Sequence, residues 1–267
     1  MRASRVAAIV LRQLYLFRGS PIRVLPMMAW VVIDIVLWGF ISRYLDAVTG
    51  PRMHFVASLL GAVLLWDFLG RVMQGVTTAF FEDVWSRNFL NVFATPLRIS
   101  EYLAGLVLTG VLTSVVGLAA MLALATTVFG LSFLVYGAAL VPFVFVLFLT
   151  GIALGIFGTA IVLRFGPASE WLIWPIPSLL SPFVGVFYPL ATLPAWMRMI
   201  GHAMAPSYVF EAMRTIVAGG PAPWGQLAIG MGLAGLYLVL AGLAFAAVYR
   251  HAIRTGLIAR YSAETAS

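Results

Sequence analysis

Residues 174–194 read "WPIPSLLSPFVGVFYPLATLP". The stretch is apolar enough for a bilayer, yet Pro175, Pro177, Pro182, Pro189 and Pro194 each remove a backbone donor and disfavour a continuous helix. Broken backbone at membrane depth survives only where protein buries it or it lines a wet cavity. The expectation is a bundle of apolar helices in which one member is interrupted. Immediately after it, "AWMRMIGHAMAPSYVFEAMR" (195–214) is too polar to span, but Trp196, Met199, Ile200 and Met204 make one apolar stripe. Short helices dipping into one leaflet are expected there.

The rest of the chain supports a membrane setting. Of 267 residues, 63% are apolar and 9% charged, with a mean hydropathy of +1.04, whereas soluble domains average roughly 45–50% and about 25%. Apolar runs fall at about 24–41, 55–80, 103–129, 134–163, 171–190 and 225–249, each near or above the roughly 20 residues a spanning helix needs. The expected fold class is therefore all-α integral membrane with six spans in one domain, 1–267. It comprises an interfacial helix (1–23), a six-span bundle (24–249) and a tail (250–267). Arg12 interrupts "VAAIVLRQL" and no small-residue cleavage site follows, so no removable signal peptide is expected.

Charge adds orientation. The net charge of +7 comes wholly from arginine, because the sequence contains no lysine. A Walker A loop needs its lysine, so an ATP-binding P-loop of that kind is excluded. With no basic groove or aromatic-basic interleaving, nucleic acid is not an expected partner. A cytoplasmic N-terminus puts twelve of the sixteen arginines on the inner side, and the positive-inside rule then places both termini there. The absence of cysteine excludes disulfides and thiolate chemistry. His54, His202 and His251 are too scattered to form a metal site.

Four groups of residues stand out. Within 3–19, Val6, Ile9, Val10, Leu14 and Phe17 share one helical face with Arg5 and Arg12 opposite, the pattern of an interfacial amphipathic helix. Asp34 sits mid-span at the depth expected for Asp67, and Arg71 is spaced i,i+4 from Asp67. Either a structural ion cluster or a proton relay or substrate contact fits, with Gln74, Thr77 and Thr78 extending the polar stripe. Gly151, Gly155 and Gly158 are spaced for close helix packing within the subunit. Finally "EDVWSRNFLNVFATPLRISE" (82–101) concentrates charge between two spans. On a helix, Phe81, Val84, Trp85, Phe89 and Val92 share one face while Glu82, Asp83, Ser86 and Arg87 turn away, and Pro96 stops the helix. An amphipathic loop anchored by its aromatics and a rigid force-transmitting element both fit this pattern.

The order of basic amphipathic N-terminus, two spans, "FFEDVWSRNFLNVFATPLRISEYLAG", two spans, a proline-broken fifth span, "APSYVFEAMR" and a last span resembles the ABC-2 family of bacterial ABC exporter permeases over nearly the whole chain. The resemblance implies that the 82–101 stretch carries a coupling helix docking onto a separate ATPase, through Glu82, Asp83, Arg87, Asn88, Pro96, Leu97, Arg98 and Glu101. It also implies an outer hairpin marked by Pro206, Tyr208, Glu211 and Arg214, of which Glu211 and Arg214 fit a local salt bridge equally well. Two permeases and two ATPases in a bacterial inner membrane are implied, with membrane lipids as further partners. No cofactor is expected on this chain, and ATP and Mg belong to the partner ATPase. The cargo class is amphipathic, lipid-linked or polysaccharide. A self-sufficient proton-coupled carrier using Asp34 and Asp67 is the alternative. An intramembrane enzyme is disfavoured because neither G-x-S-x-G nor H-E-x-x-H occurs.

Overall fold

The computed structural model describes residues 2–19, 24–49, 56–85 and 95–256, and among these it is almost wholly helical, with no strand. The described residues form nine α-helices, in order α1 (Ala3–Gly19), α2 (Val24–Thr49), α3 (Gly61–Trp85), α4 (Ile99–Phe129), α5 (Leu140–Phe165), α6 (Ile176–Val184), α7 (Ala195–His202), α8 (Ala205–Val217) and α9 (Trp224–Arg254). A π-helical turn, Val56–Leu60, leads into α3, and the 3₁₀ segment Phe133–Ala139 leads into α5.

Among the described residues, four stretches are long and apolar enough to cross a membrane: Val56–Asp83, Ile99–Phe129, Phe133–Phe165 and Trp224–Arg254. They coincide with four of the six expected spans. The first expected span lies within the 26 residues of α2. The fifth does not form one helix. Instead, Pro167–Leu172 is 3₁₀, α6 lasts nine residues, and Gly185 ends it in the left-handed region at φ 71°, where a Cβ would be strained. The prolines have the effect their chemistry requires.

The core forms around α3, whose spanning window is 67% buried against 17% for α9. It is flanked by α4 and α5, and α9 lies beyond α5 with α8 at its start. Small residues set the α3 and α5 seam. A Cβ added at Gly151 would lie 2.8 Å from the Leu69 carbonyl oxygen, and one at Gly155 would lie 3.0 Å from that of Met73. The glycine spacing thus serves packing within the chain, as expected. α4 ends in a left-handed glycine cap, with the Gly130 N–H donating to the Thr126 carbonyl and the Leu131 N–H to that of Ala125.

Two expectations about faces are corrected. On α1 the buried side chains are Ile9, Val10 and Gln13, with Arg5 and Arg12 half-buried beside them, while Leu11, Leu14, Tyr15 and Leu16 are exposed. Arg5 and Arg12 therefore flank the packed face rather than opposing it. The cause is that polar contacts to α3 and α4 compete with the apolar stripe for the inward position. At the other site, α3 continues unbroken through Glu82 and Asp83 to Trp85, so these residues form the last turns of a long helix, and Phe81, Glu82 and Asp83 are all buried. A split into an apolar face and an outward-turned charged face does not hold at Glu82 and Asp83: both are buried, Asp83 against Arg12 of α1 and Tyr102 of α4.

Candidate functional site

The end of the bundle where α1 lies holds a set of buried ion pairs. Arg12 donates through a terminal nitrogen to Asp83 Oδ1, and the wholly buried Tyr102 donates its hydroxyl to Asp83 Oδ2 at 2.8 Å. One turn along α3, Gln13 Nε2 donates to the Ala79 carbonyl oxygen at 3.3 Å. On the α4 side, Arg5 pairs with Glu101 Oε2 at 3.1 Å. The same carboxylate accepts from the backbone N–H groups of Arg2 (2.8 Å) and Arg98 (3.0 Å), the latter being the acidic half of a capping box. Ile9 fills the space between the two pairs, facing Gly105, where a Cβ would approach within 2.7 Å. Each acid thus has the hydrogen bonds that burial of a charge demands.

α1 is consequently fastened to both helices that bracket residues 86–94. Arg87 and Asn88 lie outside the described residues. Pro96 and Arg98 are exposed, Leu97 is half-buried, and Glu82, Asp83 and Glu101 are turned inward. Sequence reading had singled out Asp83 and Glu101 but not Gln13 or Tyr102, and it had not paired the acids with α1. The available signal was two acids at helix ends with two arginines spaced i,i+7 on another helix.

The second group lies between α2, α3 and α4. Asp34, Asp67 and Arg71 are close enough to interact electrostatically, each with the other two. All three are half-buried, as is Gln74. The Arg71 stem passes Gly117 of α4, where a Cβ would meet Arg71 Cδ at 3.4 Å. Asp67 Oδ2 is buried without a hydrogen-bond partner among the described residues. Thr77 is satisfied within its own helix, donating to the Met73 and Gln74 carbonyls at 3.1 and 3.2 Å.

At the far end, α8 repairs the break after α6. Arg214 donates through one terminal nitrogen to the carbonyl oxygens of Gly185, Val186 (3.4 Å) and Tyr188 (2.8 Å), and through the other to Glu211 Oε1 at 3.1 Å. Glu211 Oε1 in turn accepts from the Leu190 N–H at 2.7 Å. A cation at a helix C-terminus also complements the helix dipole. Burial pulls the Arg214 pKa down and Glu211 opposes that shift. Ser207 donates to the Gly201 and Met204 carbonyls, both at 2.6 Å, and Tyr208 to that of His202 at 2.9 Å. Pro206 sits in the first turn of α8, where its missing N–H costs nothing. All four residues expected in this hairpin lie on α8, and three of them satisfy backbone groups that the interrupted chain leaves open.

No family model matches the sequence, and no curated protein matches it.

Proposed function

We propose that this chain is the permease subunit of an ATP-driven exporter of the ABC-2 type, pairing as a homodimer with two copies of a separate ATPase. The observation that supports the reading most directly is the bracketing of residues 86–94 by Arg12–Asp83–Tyr102 on one side and Arg5–Glu101 on the other. A push on that connection is felt at once by α1, α3 and α4, as a coupling element requires. In this reading the connection faces the cytoplasm, α2 and the interrupted 167–194 segment complete six spans, and α7 and α8 form a re-entrant hairpin at the outer leaflet. The cargo is amphipathic, lipid-linked or polysaccharide, and the setting is a bacterial inner membrane.

Purification of the tagged chain from its native cells, with and without Arg87→Glu, tests this. The expected result is a co-purifying ATPase that the charge reversal removes while the permease stays folded. Unchanged ATPase recovery after reversal of Arg87, Glu82 and Arg98 one at a time would count against the coupling role. Orientation is read separately. Cysteines placed at Thr49 and Ala222 are expected to react with an impermeant reagent in intact cells, and one at Ser86 is not.

A second reading, a proton-coupled carrier, draws on the Asp34, Asp67 and Arg71 cluster, because two acids beside one arginine leave a charge that a proton would neutralise. Abundant, folded Asp34→Asn protein without any transport would favour it.

A further inference from the structure

A crevice of about 290 Å³ opens between α1 and the segment before α4, lined by Arg5, Ala8, Ile9, Arg12, Thr95, Pro96 and Leu97. Arg5, Ala8, Ile9 and Arg12 are spaced i, i+3, i+4 and i+7, so they form one stripe of α1 with apolar groups between two guanidinium groups. Each arginine gives one terminal nitrogen to an acid. A guanidinium has five N–H donors, and although the Nε of Arg12 is buried, N–H groups on the terminal nitrogens of both arginines are left for a ligand. Among the described residues that line the crevice, two are arginines and none is an acid, so its charged groups are cationic. The outer face of α1 carries exposed apolar side chains, Leu11 at 52% and Tyr15 at 68%, with Ser4 and Arg18 exposed on the same stripe, a composition suited to a membrane surface.

We propose that this crevice is a binding site for one acidic glycerophospholipid, whose phosphate is held by the free guanidinium donors of Arg5 and Arg12 while its chain covers Ala8, Ile9, Pro96 and Leu97. Positive groups at the rim and an almost wholly apolar floor match that amphiphile. A soluble anion would gain nothing from the floor, and a zwitterionic lipid would bring its own cation to a positive rim. The bound lipid would join α1 to residues 95–97 at the root of the connection, making that joint sensitive to membrane composition. The inference requires α1 to lie at a membrane surface and is independent of whether the chain is an exporter.

The experiment is native mass spectrometry of the detergent-purified full chain titrated with phosphatidylglycerol, phosphatidylcholine or inorganic phosphate. Ala8→Phe fills the crevice from one wall and Leu97→Trp from the other, and neither removes a charge. The expected result is one retained phosphatidylglycerol per chain, preferred over phosphatidylcholine by about tenfold, with retention reduced about tenfold by either filling variant and undiminished by millimolar phosphate. Equal retention of the two lipids, displacement by inorganic phosphate, or full retention in a folded filling variant would overturn the site. Should Ala8→Phe fail to fold, Leu97→Trp decides.

Discussion

Both ends of the bundle enclose polar groups, and they satisfy them differently. At the α1 end, side chains neutralise side chains: Arg12 with Asp83, Arg5 with Glu101. At the α8 end, side chains serve backbone: Arg214 takes up carbonyls left open after α6, and Glu211 takes the Leu190 N–H. The difference follows from what each end must hold. The first joins separate helices, so charge pairs between their side chains do most of the fastening, with the Gln13 amide on the Ala79 carbonyl and the Glu101 carboxylate on two backbone N–H groups beside them. The second holds a chain whose prolines and Gly185 have interrupted its backbone bonding, so donors and acceptors must be imported.

The largest effect is expected from removing one member of a buried pair. Arg12→Ala would take from Asp83, whose side chain is 3% exposed, the guanidinium that pairs with it, while the Tyr102 hydroxyl stays. Breaking such a pair costs about 3–5 kcal/mol. Thermal unfolding in detergent is expected to show this as a greater loss than Arg214→Ala, Tyr102→Phe or Glu211→Gln. The Arg12→Ala, Asp83→Asn double variant is expected to recover part of it. A double variant no better than the single one would show that packing, not charge, holds α1 in place.

Arg214→Ala should come next, at about 2–3 kcal/mol, because several buried carbonyls lose a charged donor but no charge is left wholly alone. The comparison sharpens with Arg214→Lys. An ammonium keeps the charge but not the planar fork that reaches Gly185, Tyr188 and Glu211 together, so only partial recovery is expected. Complete recovery would mean that the dipole, rather than the hydrogen-bond geometry, matters here.

The two ends also differ in how far they were legible beforehand. Apolar runs marked the four long helices, and five prolines marked the interruption, because both are local properties of consecutive residues. The pairing of Glu211 with Arg214 was legible too, being a helix-spacing relation within one turn. The clasp was not. Arg12 and Asp83 are 71 residues apart and Arg5 and Glu101 are 96, and periodicity carries no information about which distant helix an arginine meets. For the same reason Glu82 and Asp83 read as turned away from the packed face when only their own helix is considered. The carbonyls around Gly185 were invisible as ligands of Arg214 because that contact depends on how the chain returns from residue 185 to residue 214.

Tyr102→Phe isolates a single neutral donor at the charged end. It keeps the ring that fills the core and removes only the bond to Asp83 Oδ2, so a loss of about 1–2 kcal/mol is expected. That is less than for Arg12→Ala because the cation stays. A loss as large as that of Arg12→Ala would mean that the hydroxyl, not the guanidinium, is what makes burial of Asp83 tolerable.

The smallest effect should come from Glu211→Gln. The amide keeps a carbonyl oxygen where Glu211 Oε1 now accepts from the Leu190 N–H, and the half-exposed Arg214 keeps its backbone carbonyl partners. What is lost is an i,i+3 ion pair whose two side chains are 22% and 32% exposed, and pairs with that much solvent contact contribute only about 0.2–1 kcal/mol. The corresponding change at the other end, Glu101→Gln, removes the charge from a side chain that is 1% exposed and accepts from Arg5 and two backbone N–H groups. Unfolding of the two variants measured side by side is expected to rank Glu101→Gln as clearly the more damaging. If the two are equal, hydrogen-bond acceptance alone accounts for both carboxylates, and the contrast between a charge-fastened end and a backbone-repaired end fails.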